Sequence, residues 1–66
     1  MTIGERIKQR RLELGFSYRD LEKMTGVSAS TLCRYENGTI IETAVNKLQS
    51  IAKGLRVSPS YLAGWD

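Results

Sequence analysis

The chain has 66 residues, of which 41% are hydrophobic and 26% charged, as in ordinary folded proteins and unlike disordered ones. One cysteine and no histidine exclude a disulfide within the chain and a zinc site of the usual kind. No apolar run approaches the roughly 20 residues that a membrane-spanning helix needs, and no secretory signal opens the chain. We therefore expect a cytoplasmic protein without a metal or a cofactor. The net charge of +3 suits a polyanionic partner without establishing one.

The first predicted helix spans residues 3–14. Thr2 precedes it as N-cap and Glu5 follows three residues later, which is the spacing of a capping box. Its apolar residues recur at helical spacing and form one stripe of Ile3, Ile7 and Leu14. Arg11 falls in the same stripe, and an arginine that faces a core is costly unless a carboxylate meets it. Arg11 is therefore expected to have an acidic partner.

Two short helices are predicted next, over residues 18–25 and 29–37. Ser17 and Ser28 precede them as N-caps, because a serine oxygen accepts from the unpaired N–H groups of a first helical turn. Gly26 supplies the left-handed residue that ends the first of the two helices. The side chains expected to turn inward are Leu21, Met24, Leu32 and Tyr35. Two helices joined by a tight glycine-containing turn form a helix-turn-helix, whose second helix can enter a DNA major groove.

A fourth helix is predicted to begin after Thr43 and to end near residues 54–56. Its inward side chains are expected to be Val45, Leu48, Ile51, Ala52 and Leu55. A fifth helix is predicted to begin with Ser58 as N-cap and Pro59 in the first position, where a missing N–H costs nothing. Tyr61 and Leu62 would close the core. The sequence thus predicts an all-α, compact domain of five helices over residues 1–66, without strands.

In this order and spacing, the elements resemble the Cro/C1-type (XRE) family of helix-turn-helix regulators, the DNA-binding domains of lambdoid phage repressors. The resemblance covers essentially the whole chain. It rests on RRLELG at 10–15, S-x-x-x-L at 17–21, GVS at 26–28, RYENG at 34–38 and IAKGLRVSPSYL at 51–62. It implies a lambda-repressor-like fold and a transcriptional regulator, a repressor, in the bacterial cytosol or nucleoid.

The resemblance also implies roles for residues of the third helix. In this family an arginine of helix one pairs with a glutamate near the end of helix three, and here these are Arg11 and Glu36. Base contacts are expected on the outward face, at positions that match Ala29, Ser30 and Arg34. Arg34 is the strongest of them, because a guanidinium can bond to both O6 and N7 of guanine. The alternative for Arg34 is a solvated surface arginine.

Contacts to DNA phosphates are expected around the starts of helices two and three and beside the third helix. The expected residues are Ser17, Tyr18, Ser28, Thr31, Cys33, Asn37, Thr39, Arg10 and Arg19. The family commonly has glutamine where Tyr18 stands, and a phenol can still donate to a phosphate oxygen. For Ser28, capping alone is the alternative. The loop after Gly38 is poor in basic residues and carries Glu42, so we expect a shallow salt dependence of DNA binding.

Weak binding by one domain favours a homodimer on double-stranded operator DNA. Repressors of this type bind two half-sites about 34 Å apart through a two-fold dimer. The interface is expected around helix five, at Arg56, Val57, Pro59, Leu62 and Trp65. Trp65 is either a lid on the core or an exposed anchor. Ile40 and Ile41 are either core residues or an apolar patch for a protein partner.

Two other classes of function remain open. A protein-interaction module on the same fold, such as an antirepressor or an antitoxin-like partner, is favoured by the acidic loop with its two isoleucines. An enzyme has almost no catalytic material here, because Cys33 is most simply a small helix-three residue rather than a reactive thiol. We therefore expect no enzyme and no catalytic residue. The end of the chain at Asp66 is compatible with a domain of a longer repressor.

Overall fold

The computed structural model describes residues 2–40 and 44–64, and this part of the chain forms five helices without a strand. The helices are α1 (Ile3–Glu13), α2 (Tyr18–Thr25), α3 (Ala29–Glu36), α4 (Val45–Leu55) and α5 (Pro59–Ala63). The predicted all-α class and the order of the helices are confirmed, with the first and third ending one residue earlier than expected. None of the helices in the described ranges has the length and apolar character needed to cross a membrane.

The predicted caps hold the starts of α1 and α2. Thr2 Oγ1 accepts from the N–H of Glu5 at 3.1 Å, and Glu5 Oε1 accepts from the N–H of Thr2 at 3.0 Å. Ser17 and Asp20 make the same exchange at 3.1 Å and 2.9 Å. These backbone donors hold the pKa of both carboxyl groups below their ordinary values. Both helices therefore start at capping boxes.

Gly26 sets the turn between α2 and α3. Its φ of 76° lies in the left-handed region that favours glycine, and its N–H donates to the carbonyl of Glu22 at 2.8 Å. Only three residues separate the two helices, so their relative orientation is tightly constrained. This geometry is the predicted helix-turn-helix.

The core lies where the first four helices meet, and α5 closes it. Its buried hydrophobic residues are Ile7, Leu21, Val27, Leu32, Tyr35, Leu48, Ile51, Ala52, Leu55 and Leu62. Ile40 packs against this cluster and Tyr61 is half-buried at its edge. Ile41 lies outside the described residues. Of the two alternatives for Ile40, a core residue or part of an apolar surface patch, the structure therefore shows the first.

Two residues expected in the core are exposed instead. Met24 is 46% exposed, although its β-carbon, like the side chains of Leu21 and Thr25, lies beside Gly54 of α4. Val45 is 67% exposed, because it begins α4 and the buried stripe of that helix starts one turn later at Leu48. Both expectations were wrong for the same reason: helical periodicity identifies a face but not where the neighbouring helix lies along it.

Candidate nucleic-acid interface

The outer face of α3 is open to solvent. Leu32 and Tyr35 anchor the helix, with 0% and 3% of their surface exposed. Ser30 and Arg34 are exposed, one helical turn apart, and Ala29 beside them is half-buried. Residues four apart on a helix lie on the same side. The structure therefore places two of the three residues expected to contact bases, Ser30 and Arg34, on one outward face, with Ala29 half-buried next to Ser30.

Hydroxyl groups surround the start of α3. Ser28 Oγ accepts from the N–H of Thr31 at 3.2 Å and donates to Thr31 Oγ1 at 2.8 Å. Both residues border an open cleft of about 320 Å³ between the turn and α4, lined by Thr25, Gly26, Val27, Ser28, Thr31, Asn46, Lys47 and Ser50. Lys47 is the charged residue of this lining. Ser28 is thus a cap that also lies at a polar cleft.

Two further polar residues lie together at the other end of α3. Asn37 Oδ1 accepts from the N–H of Thr39 at 2.9 Å and from its hydroxyl at 2.6 Å. Both residues are exposed, and the N–H of Thr39 also donates to the carbonyl of Arg34 at 2.9 Å. Cys33 is half-buried on the same helix. The polar groups therefore flank the outer face of α3 at both ends.

A buried ion pair holds α3 against α1. Arg11 Nε donates to Glu36 Oε2 at 2.8 Å and Arg11 Nη2 donates to Glu36 Oε1 at 3.1 Å. The side chains are 10% and 3% exposed. Arg11 Nη1 also donates to the carbonyl of Phe16 at 2.9 Å. The hydrogen bonds to Glu36 raise the pKa of the guanidinium above its ordinary value. The acidic partner expected for Arg11 is present.

Tyr18 joins this ion pair instead of facing solvent. Its hydroxyl donates to Glu36 Oε1 at 3.0 Å, and its ring centroid lies 4.3 Å from the guanidinium carbon of Arg11. Burial, and then the bond to Glu36, raise the pKa of the phenol above its ordinary value of 10.0. The hydroxyl that was expected to donate to a DNA phosphate therefore donates to a carboxylate, because Glu36 lies within its reach inside the protein.

Arg10 and Leu62 also differ from their expected roles. Arg10 Nε donates to the carbonyl of Leu55 at 2.9 Å and so supplies a partner for the last residue of α4. This engagement argues against the expected phosphate contact. Leu62 is 0% exposed and has no surface to offer a second copy. Of the other expected interface residues, Arg56 and Pro59 are exposed, Val57 is half-buried, and Trp65 lies outside the described residues.

The start of α2 keeps two of its expected residues at the surface. Ser17 and Arg19 are both exposed, and the Ser17 hydroxyl is the N-cap of the helix. They flank Tyr18, whose hydroxyl is directed inward to Glu36. The contact between Tyr18 and Glu36 was missed from the sequence, since no spacing rule relates residues on two different helices.

The chain is similar to known proteins of one kind. The family model HTH_3, described as Helix-turn-helix, matches residues 7–62. The "Uncharacterized HTH-type transcriptional regulator y4wC" of Sinorhizobium fredii (strain NBRC 101917 / NGR234) is 37% identical over 59 residues. The match covers 89% of this chain and 41% of that regulator, so the chain spans about two fifths of its length.

A solved structure shares the whole fold. It is the crystal structure of the P22 c2 repressor protein in complex with synthetic operator 9T in the presence of Tl+. The two chains are 33% identical with a TM-score of 0.88, and the match covers 100% of this chain and 98% of that one. The predicted repressor-like arrangement of five helices is thereby confirmed.

Proposed function

The chain belongs to the HTH_3 helix-turn-helix family, and on that premise we propose that it binds double-stranded DNA sequence-specifically and regulates transcription as a repressor. The observation that carries this proposal is the outward face of α3, with Ser30 and Arg34 exposed on it. The same fold occurs in a repressor whose structure contains operator DNA. The activity is binding rather than catalysis, and its place is the bacterial cytoplasm.

Base reading falls to three side chains of α3. An α-helix fits the major groove, where each base pair presents a distinct pattern of donors and acceptors. Arg34 would donate both arms of its guanidinium to O6 and N7 of one guanine. Ala29 would contact a thymine methyl group, and Ser30 would bond to a base edge or a phosphate. The exposure of Ser30 and Arg34 supports these assignments.

Contacts to the DNA backbone are proposed to come mainly from uncharged polar side chains around α3, with few charged ones. The residues proposed for phosphate contact are Ser17, Arg19, Ser28, Thr31, Cys33, Asn37, Thr39 and Lys47. Most of them are uncharged, so few counterions are released and the affinity should fall only gently with salt. Such contacts position the protein along the DNA but add little to its affinity.

Two copies are proposed to bind two half-sites of one operator. Helix-turn-helix repressors commonly place their reading helices about 34 Å apart, one turn of DNA. Arg56 and Pro59 remain the exposed candidates for contact between copies, with Val57 half-buried beside them. This assembly adds the affinity that a single copy with few phosphate contacts lacks.

Selection of bound sequences from a random DNA pool tests the proposed function. The expected result is an enriched motif with two inverted half-sites, whose mobility shift weakens as salt is raised. Competitor DNA of the same length and base composition, with the motif scrambled, serves as the control. Absence of both an enriched motif and a salt-sensitive shift would contradict DNA binding. That outcome would favour a protein-interaction module on the same fold.

A further inference from the structure

Tyr18 contacts both members of the ion pair that joins α1 to α3. Its hydroxyl reaches the same oxygen of Glu36 that accepts from Arg11 Nη2, at 3.0 Å and 3.1 Å respectively. Its ring lies over the guanidinium of Arg11, with 4.3 Å between the ring centroid and the central carbon. An aromatic face attracts a cation, and the attraction is greater where water is excluded. One side chain thus covers the cation and satisfies the anion.

Glu36 is the point at which these contacts reach the reading helix. It is the last residue of α3, and its side chain is only 3% exposed. The chain that follows is folded back onto α3, because the N–H groups of Thr39 and Ile40 donate to the carbonyl of Arg34 at 2.9 Å and 3.2 Å. A buried carboxylate that loses a hydrogen-bond donor destabilises the folded protein, because water does not replace the donor. The hydrogen bonds that fix the Glu36 side chain therefore also fix the carboxyl end of α3, next to Arg34.

We propose that Tyr18 is a positioning residue of the DNA-binding surface, which fixes the carboxyl end of α3 through Glu36 and makes no phosphate contact through its hydroxyl. The inference rests on the proposed function of α3 as the reading helix. The pKa of the phenol is raised above its ordinary value of 10.0, mainly by burial, so the hydroxyl keeps its proton at neutral pH. The geometry of three groups from α1, α2 and α3 carries the role.

The substitution Tyr18→Phe tests this role, because it removes the hydroxyl and keeps the ring over Arg11. Tyr61→Phe is the matched control: Tyr61 is also half-buried, and its ring also lies over an arginine, with Arg6 at 5.3 Å. Tyr61 belongs to α5, which packs on α1 and α4. Affinity for the selected operator is measured over a series of salt concentrations, well below the unfolding temperature of each variant.

Tyr18→Phe is expected to weaken operator binding about fivefold at every salt concentration, because without this hydrogen bond only a fraction of the molecules hold the carboxyl end of α3 in its binding position. The slope of log affinity against log salt should not change, and Tyr61→Phe should alter neither quantity. A phosphate contact by the neutral hydroxyl would leave this slope unchanged too, so it is tested with operators in which single phosphates are replaced by methylphosphonate. A replacement that weakens binding of the parent but not of Tyr18→Phe would show a phosphate contact and overturn the proposal. An affinity equal to that of the parent would overturn it as well.

Amide hydrogen exchange in the free protein tests the same role without DNA. Tyr18→Phe should speed exchange at residues 37–40 and leave α4 and α5 as in the parent, whereas Tyr61→Phe should not affect residues 37–40. Unchanged exchange at 37–40, or a uniform increase in all helices, would overturn a positioning role. Failure of the parent to bind operator would instead contradict the proposed function, and the exchange result would still decide the role of Tyr18.

Discussion

Gly4 of α1 lies directly against the backbone carbonyl of Tyr35 in α3, with no room between them for a β-carbon. The two helices therefore meet backbone to backbone at this point. Further along α1, Arg11 reaches Glu36, the next residue of α3, through its side chain. These two contacts set the orientation of the proposed reading helix against α1. A glycine is required at the first of them by close approach rather than by its backbone angles.

Gly4→Ala should destabilise the protein by about 1–3 kcal/mol, as overpacking generally does. Alanine is the better helix former, so a loss of stability would reflect the collision with Tyr35 alone. The measurement is the free energy of unfolding by urea. Gln9→Ala, at an exposed position of the same helix, is the control and should lie close to the parent. An alanine variant as stable as the parent would show that α1 can move away without cost.

Arg11→Ala should lower the free energy of unfolding by about 3–5 kcal/mol, because it leaves the carboxylate of Glu36 buried without its cation. The variant should lose stability far more than it alters sequence preference. Thermal midpoints and selected DNA motifs are compared with those of the parent and of Arg19→Ala, which removes an exposed arginine. Comparable thermal midpoints for Arg11→Ala and the parent would contradict this reading of the pair.

The local features of the fold were predictable from the sequence because they depend on near neighbours. Thr2, Ser17 and Ser28 start helices through bonds to residues three positions ahead. Gly26 ends α2 through its own backbone conformation. The need of Arg11 for a carboxylate was also local, whereas Glu36 was named as its partner only through the family resemblance. Interactions between near neighbours were thus enough to predict the helices and the need of Arg11 for an acidic partner.

The contacts that were missed join residues far apart in the chain. Arg10 reaches the carbonyl of Leu55, 45 positions away, and the hydroxyl of Tyr18 reaches Glu36, 18 positions away. An exposed arginine and one that caps a distant helix look alike in a sequence. Arg10 can cap α4 only because the end of that helix lies beside α1, and the sequence does not reveal this position. These internal bonds argue against the phosphate contacts that were expected for Arg10 and Tyr18.

Stability should fall with acid as the two capping boxes lose their charge. The pKa values of Glu5 and Asp20 lie below the ordinary 4.5 and 3.8, so the unfolded state binds protons more readily than the folded one. Their contribution is present above these ordinary values and is lost as the pH falls through the folded pKa values. Thermal midpoints from pH 7 to about pH 3 should show a flatter acid limb in a Glu5→Gln, Asp20→Asn double variant. Glu13→Gln is the control, and an identical limb in the double variant would contradict the prediction.

Arg34→Ala should relax the preference for one guanine in each half-site, at a cost of about 1–3 kcal/mol for that base pair. The side chain is exposed, and it is the main-chain carbonyl of Arg34 that receives the N–H of Thr39, so stability should not change. Arg34→Lys is the matched variant: it keeps the charge, and with it the salt slope, but lacks the fork that bonds two acceptors at once. Random-pool selection and competition against an operator with that pair replaced measure both effects. A motif selected by Arg34→Ala that equals the parent's would mean that Arg34 is a surface arginine and reads no base.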